Sequence, residues 1–217
     1  MTDVLASLPT LLIAIVVSYV VGALPLAEQV SRRHGVDIFS VGTGLAGASN
    51  VRRSVGRGPG LLVFVGDLGK GALAILLARI LGVEGVFVLL PATAAVIGHW
   101  SSVFSGFRGG DGLATLGGVL LALFGMFGAL AIAAAMVVAL GAQRMPFSSL
   151  LSIVFGYATL VALIVAYDGD TILAIGYGGM SGLVLARALL GHKRRRGEPE
   201  WEGLEDPQGS AVESSGS

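Results

Sequence analysis

The chain has 217 residues, of which 54% are apolar and only 13% charged, and its mean hydropathy of +0.83 excludes an ordinary soluble domain. The absence of cysteine removes disulfides, thiolate nucleophiles and thiolate metal sites together, and the three histidines, His34, His99 and His192, offer no metal-ligand spacing. The 14 basic and 14 acidic residues cancel in number but not in place, with Lys193–Arg196 basic and 198–213 acidic.

Apolar runs about as long as a bilayer crossing fall near 8–28, 59–81, 85–104, 149–166 and 170–190. The first lacks a basic leader and is too long for a signal-peptide core, so it is read as a retained helix. Residues 112–142 would make one helix of roughly 46 Å, well beyond a hydrocarbon core of about 30 Å. Either that helix tilts steeply, or two short helices meet near Gly125 to Gly128.

The basic residues decide between them. With a break near Gly125 there are seven spans, and an outside N-terminus puts Arg32, Arg33, Arg52, Arg53, Arg57, Arg108, Arg144 and Lys193–Arg196 on the cytoplasmic side, leaving Arg79 outside. A single long helix would send Arg144 and the basic cluster outward. The expectation is therefore an all-α polytopic membrane protein of about seven spans, with its N-terminus outside and C-terminus cytoplasmic. Its membrane domain covers 1–192, and a basic then acidic tail covers 193–217. Within that tail, residues 197–217 have too few large apolar side chains to offset their ordering entropy and are expected to be disordered. The 146–149 turn, with Pro146 and Ser148, suits a helix start.

Between the first two runs lies GTGLAGASNVRR, Gly42 to Arg53. Backbone N–H groups of Thr43, Gly44 and Gly47, a helix opening at Ser49 or Asn50, and the guanidinium groups of Arg52 and Arg53 are expected to converge on a phosphate-sized anion. Asp67 and Lys70, three apart inside an apolar run, share a helix face. They form a buried ion pair that fixes packing, or they line a polar cavity where Lys70 stabilises phosphate. His99, followed by Trp100, is either an interfacial anchor or a supporting group of the same site. A second glycine-rich loop, with Arg108, Gly109, Gly110, Asp111 and Gly112, falls on the same side as the first. Arg108 reads equally as a topology signal and as a ligand contact. Together the two loops suggest one polar site facing the cytoplasm.

These segments resemble the PlsY family of bacterial membrane acyltransferases, over roughly residues 19–118. The family's GSGNxGATNxxR loop is matched by Gly42, Thr43, Gly44, Leu45, Gly47, Ala48, Ser49, Asn50 and Arg53. GALP at 22–25 resembles GSIP, and Asp37 precedes the loop as in the family. DxxKG stands at Asp67, Lys70 and Gly71, and a GH pair followed by FKGGKGVAT at Gly98-His99 and Phe107–Thr115. The departures are Thr43, Leu45 and Asp111, the last in place of a lysine, and a C-terminal RHxxN element with no match in 177–187.

The resemblance implies transfer of an acyl group from acyl phosphate to glycerol-3-phosphate at the inner membrane, giving lysophosphatidic acid, with no metal, CoA or other cofactor. It also implies membrane lipid, and no nucleic acid, as the other partner. Thr43, Gly44, Gly47, Ser49, Asn50, Arg53, Asp67, Lys70, Arg108, Gly109 and Gly110 would bind substrate, with His99 in support. No residue is assigned as nucleophile. Two alternatives stay open: a family-like membrane protein that binds an anionic lipid or partner without acyl transfer, and a transporter, although no internal repeat is present.

Overall fold

The computed structural model describes residues 2–142 and 148–196, and among these every regular element is helical. The helices are α1 (Thr2–Ala23), α2 (Leu26–Arg33), α3 (Ala48–Ser54), α4 (Arg57–Ile80), α5 (Leu89–Trp100), α6 (Leu113–Phe124), α7 (Met126–Gly141), α8 (Ser148–Ala166) and α9 (Thr171–Arg196). Arg144, the start of the 146–149 turn and the tail 197–217 lie outside the described residues.

Helix boundaries follow local chemistry. The first run was expected to continue to 28, but α1 stops at Ala23, because Pro25 cannot continue the hydrogen-bond ladder. The chain restarts as the short amphipathic α2, which buries Ala27, Glu28, Val30 and Ser31 and exposes Arg32 and Arg33. The third run was expected over 85–104. Its first residues, Gly85–Val88, form a tighter 3-10 turn, and helix ends at Trp100, where a compact turn between Ser102 and Arg108 takes over. The 112–142 stretch divides, as the placement of the basic residues favoured: Gly125, at φ 53°, separates α6 and α7 in a left-handed conformation that costs glycine little. Helix α9 extends to Arg196 and so includes Lys193–Arg196.

Counting α2 with α1, Leu8–Arg33 is long and apolar enough to cross a membrane, as is Arg57–Ile80, and five shorter apolar helices accompany them. Small residues let these helices touch backbone to backbone. A Cβ at Gly22 would overlap the Ala95 carbonyl of α5, and one at Gly118 the Leu68 carbonyl of α4. The main core packs Ile75, Ala78, Val96, Leu116, Val119, Leu160 and Val184 between helices.

A second, smaller core of Ala27, Val30, Ile38, Ala46, Val51 and Val63 lies beneath the 36–47 loop and supports it. Helices α1, α5 and α9 bring their C-terminal parts to one end of the bundle, where they meet the middle of α4 and the start of α6: Lys70 reaches Leu24, Ser102 reaches Ala23, Trp100 reaches Asp111, and Arg187 reaches Trp100. Arg79 marks the opposite end, donating to the Ala122 carbonyl near the close of α6 at 3.1 Å.

Candidate active site

Three ionisable side chains meet inside that end. Asp67 and Lys70 are one helical turn apart on α4 and face inward, 2% and 5% exposed, with Nζ 3.0 Å from Oδ1. A buried pair of this kind is held only if its remaining polar capacity is met. Lys70 meets part of its own by donating to the Leu24 carbonyl at 2.9 Å, at the break imposed by Pro25. His99, near the end of α5, places Nδ1 3.8 Å from Asp67 Oδ1. That oxygen makes its ionic contact without an aligned hydrogen bond, so the cluster retains acceptor capacity.

A narrow cleft opens over these groups, walled by 22–27, Ala46, Ser102, Ser105, Arg108 and Gly109. Its rim is tied down by side chains. Ser102 Oγ donates to the Ala23 carbonyl at 2.5 Å and accepts the Phe104 N–H at 3.2 Å. Ser105 donates to the buried Glu28 carboxylate, which also pairs with Arg32 at 2.6 Å. These contacts lock α2 to the second glycine loop. Arg108 lies over the Phe39 ring, 4.1 Å from its centre, joining the outer parts of both loops by a cation–π contact.

The two loops also touch directly through their backbones. Ala46 N–H donates to the Gly109 carbonyl at 3.2 Å, and Gly110 N–H to the His99 carbonyl at 3.1 Å. A Cβ at Gly110 would overlap His99 Nε2 and lie 2.6 Å from the Ala46 carbonyl, so this junction admits no side chain. The first loop is organised from within by Asn50, which is 1% exposed. Its Nδ2 donates to the carbonyls of Ile38, Val41 and Leu45 at 3.1, 3.0 and 3.0 Å, while Oδ1 accepts the Thr43 N–H at 3.3 Å.

Of the residues singled out in the sequence, Asp67, Lys70, His99, Arg108 and Gly109 line the cleft together, and Gly110 seats the loop against His99. Thr43, Gly44, Gly47, Ser49, Asn50 and Arg53 belong to the adjoining loop and not to the cleft wall. Asn50 spends its amide on the loop itself. Helix α3 opens at Ala48, with Gly47 at its cap, one or two residues before the expected start at Ser49 or Asn50, and leaves Ser49, Arg52 and Arg53 exposed.

Two of the sequence departures have local accounts. Leu45 contributes its carbonyl to Asn50, so the loss of a polar side chain there leaves the loop's bonding intact. Asp111 accepts the Leu113 N–H on Oδ1 at 3.1 Å, at the start of α6, and its carbonyl accepts the Trp100 indole N–H at 2.8 Å. Glu28, Ser102 and Ser105 escaped sequence reasoning. A carboxylate just after a proline break was the available signal for Glu28, whereas the serines carried none.

The model of the family described as glycerol-3-phosphate acyltransferase matches residues 12–195. The chain belongs to this family. Among its members, glycerol-3-phosphate acyltransferase 1 of Deinococcus radiodurans is 51% identical over 114 residues, covering 52% of this chain and 58% of that protein. The Thermus thermophilus glycerol-3-phosphate acyltransferase is 46% identical over 118 residues, 54% of this chain and 57% of its own length. The matched part thus spans less than two thirds of either relative. Over a longer stretch, the fold is similar to crystal structures of PlsY, an integral membrane glycerol 3-phosphate acyltransferase. Its glycerol 3-phosphate form superposes with a TM-score of 0.71 at 28% identity, covering 86% of this chain and 92% of PlsY. The lysophosphatidic acid form gives 0.69 at 29% identity, with coverages of 86% and 91%.

Proposed function

We propose that the chain transfers an acyl group from acyl phosphate to glycerol-3-phosphate, at the cytoplasmic end of a seven-span bundle in the cell membrane whose N-terminus lies outside. The observation that carries this reading is the junction of the two glycine loops, Ala46 to Gly109, directly over the buried Asp67–Lys70 pair. Span number and orientation are supported by the break at Gly125 and by the arginines: Arg32, Arg33, Arg52, Arg53 and Arg108 lie on loops or short helices at the cleft end, and Arg79 at the other.

Acyl phosphate is a mixed anhydride with a good leaving group, so the protein's task is positioning and charge stabilisation. The glycerol-3-phosphate hydroxyl oxygen attacks the acyl carbon. The bond from that carbon to the bridging phosphate oxygen breaks, phosphate departs with the electron pair, and the hydroxyl proton passes to a basic oxygen in the cleft. Lys70, Arg53 and Arg108 supply positive potential and the Ser49 N–H a donor for phosphate oxygens, whereas the Thr43, Gly44 and Gly47 N–H groups, expected from the sequence to share that task, donate within the loop to Asn50 Oδ1 and to the Val41 and Leu45 carbonyls. Asp67, with its unaligned oxygen, accepts and orients the attacking hydroxyl, and His99 holds the second loop in place. Gly109 and Gly110 let the loops close. As written, the step needs neither metal nor CoA.

The test uses purified protein in detergent or lipid, supplied with acyl phosphate and glycerol-3-phosphate, following release of phosphate and lysophosphatidic acid. Turnover is expected, and Arg53→Ala is expected to abolish it. No turnover by the wild type overturns the proposal, and retained phosphate binding in that case favours the anionic-ligand alternative. An unchanged rate in Arg53→Ala removes the first loop from the site.

A further inference from the structure

Arg187, on α9, is remote in sequence from both loops yet ends against the second one. Its Nη2 donates to the Trp100 carbonyl at 3.0 Å, and its guanidinium carbon lies 5.1 Å from the centre of the Trp100 ring. That carbonyl is also the surface on which Gly109 rests, since a Cβ on Gly109 would come within 2.7 Å of it. The Trp100 indole then holds the Asp111 carbonyl, so Arg187, Trp100 and Asp111 form one connected unit behind the cleft wall.

The charges in this unit oppose one another. Asp111 brings a carboxylate next to a cleft proposed to receive a phosphate, and it interacts electrostatically with Asp67 inside that cleft. Left alone, it would repel an incoming anion. Arg187 and Asp111 both contact the Trp100 indole, the guanidinium carbon 5.1 Å from its ring centre and the Asp111 carbonyl 2.8 Å from its N–H, so the positive charge falls near the carboxylate without a direct ion pair.

We propose that Arg187 is a positioning residue of the anion site: anchored on Trp100, its guanidinium offsets the Asp111 carboxylate and keeps the 109–112 turn receptive to a phosphate group. The inference rests on the acyltransferase reading for the identity of that phosphate. It does not rest on it for the charge balance, which inorganic phosphate alone reports.

The experiment measures inorganic phosphate binding by calorimetry, and KM and kcat for glycerol-3-phosphate, on the full chain in detergent. Arg187→Ala is expected to weaken phosphate binding and raise KM by about tenfold, with kcat changed less than about threefold, the size expected when one partly screened charge is lost. Arg187→Lys is expected to retain most of the affinity. The deciding variant is Arg187→Ala combined with Asp111→Asn, which removes the carboxylate that needs offsetting and returns binding to within about threefold of wild type. A merely structural Arg187 would not be rescued in this way. Wild-type affinity in Arg187→Ala, or a double variant as weak as the single one, overturns the proposal. If Arg187→Ala does not fold, Arg187→Gln takes its place in both comparisons. Phosphate binding without turnover in the wild type counts against the acyltransferase reading and leaves the binding comparison to decide this one; a wild type that binds no phosphate overturns both.

Discussion

The two glycine-rich loops reach the same cleft by opposite means. The first, Gly42 to Gly47, is held from inside by one side chain: Asn50 gathers three carbonyls and one N–H, and two of those carbonyls, Val41 and Leu45, also accept from Gly44 and Gly47 within the loop. The second, Gly109 to Gly112, is held by having no side chains at its contacts, so its backbone rests directly on His99, Trp100 and Ala46. One conformation therefore fails by deletion and the other by addition. Beneath both lies a buried ion pair that neither loop supplies.

Substitutions test this contrast. The largest effect is expected under the loops: Lys70→Met leaves the Asp67 carboxylate buried and unpaired, costing about 3–5 kcal/mol and read as a lower midpoint of thermal unfolding in detergent. A stability equal to wild type would mean that the pair is not a structural element. Next comes addition to the second loop. Gly110→Ala puts a methyl group against a backbone carbonyl that cannot move independently, at a cost of about 2–3 kcal/mol, together with loss of most turnover. Gly117→Ala, where a Cβ meets open space, is the matched control and is expected to be silent or slightly stabilising.

Deletion in the first loop follows. Asn50→Ala removes the amide from three carbonyls that partly regain water, so about 2 kcal/mol is expected. Limited proteolysis should then cut the 36–47 loop faster than the 101–112 loop, and equal rates at the two would end the distinction drawn here. The smallest effect is expected at Asp111. Asp111→Ala loses one acceptor at the start of α6, about 1 kcal/mol, while removing negative charge from the cleft, so phosphate affinity should rise as stability falls slightly. A fall in affinity would show that the carboxylate helps rather than hinders the site.

Much of this was legible in the sequence because the signals are local. The length of 112–142 against bilayer thickness left a tilted helix or a break, the basic residues favoured the break, and Gly125 supplies it with a positive φ. The three-residue spacing of Asp67 and Lys70 put both on one face of α4 and left a buried ion pair or a polar cavity open, and the structure shows both the pair and the cleft above it. Other features were hidden because they depend on partners distant in sequence. Asn50 was read as a ligand group, since nothing in GASN shows that Ile38 and Val41 will present carbonyls to it. Glu28, Ser102 and Ser105 are ordinary residues until α2 folds back over the end of α5.

By itself, the sequence determined the helical class, the main helix breaks and the chemistry available at one end of the bundle, because apolar length and proline and glycine punctuation act through the backbone within a few residues. Only the tertiary structure decided which groups face the cleft and which support it. Whether a polar side chain is free to meet a ligand depends on whether a backbone group from elsewhere in the chain reaches it first, and that competition is settled only when the helices pack.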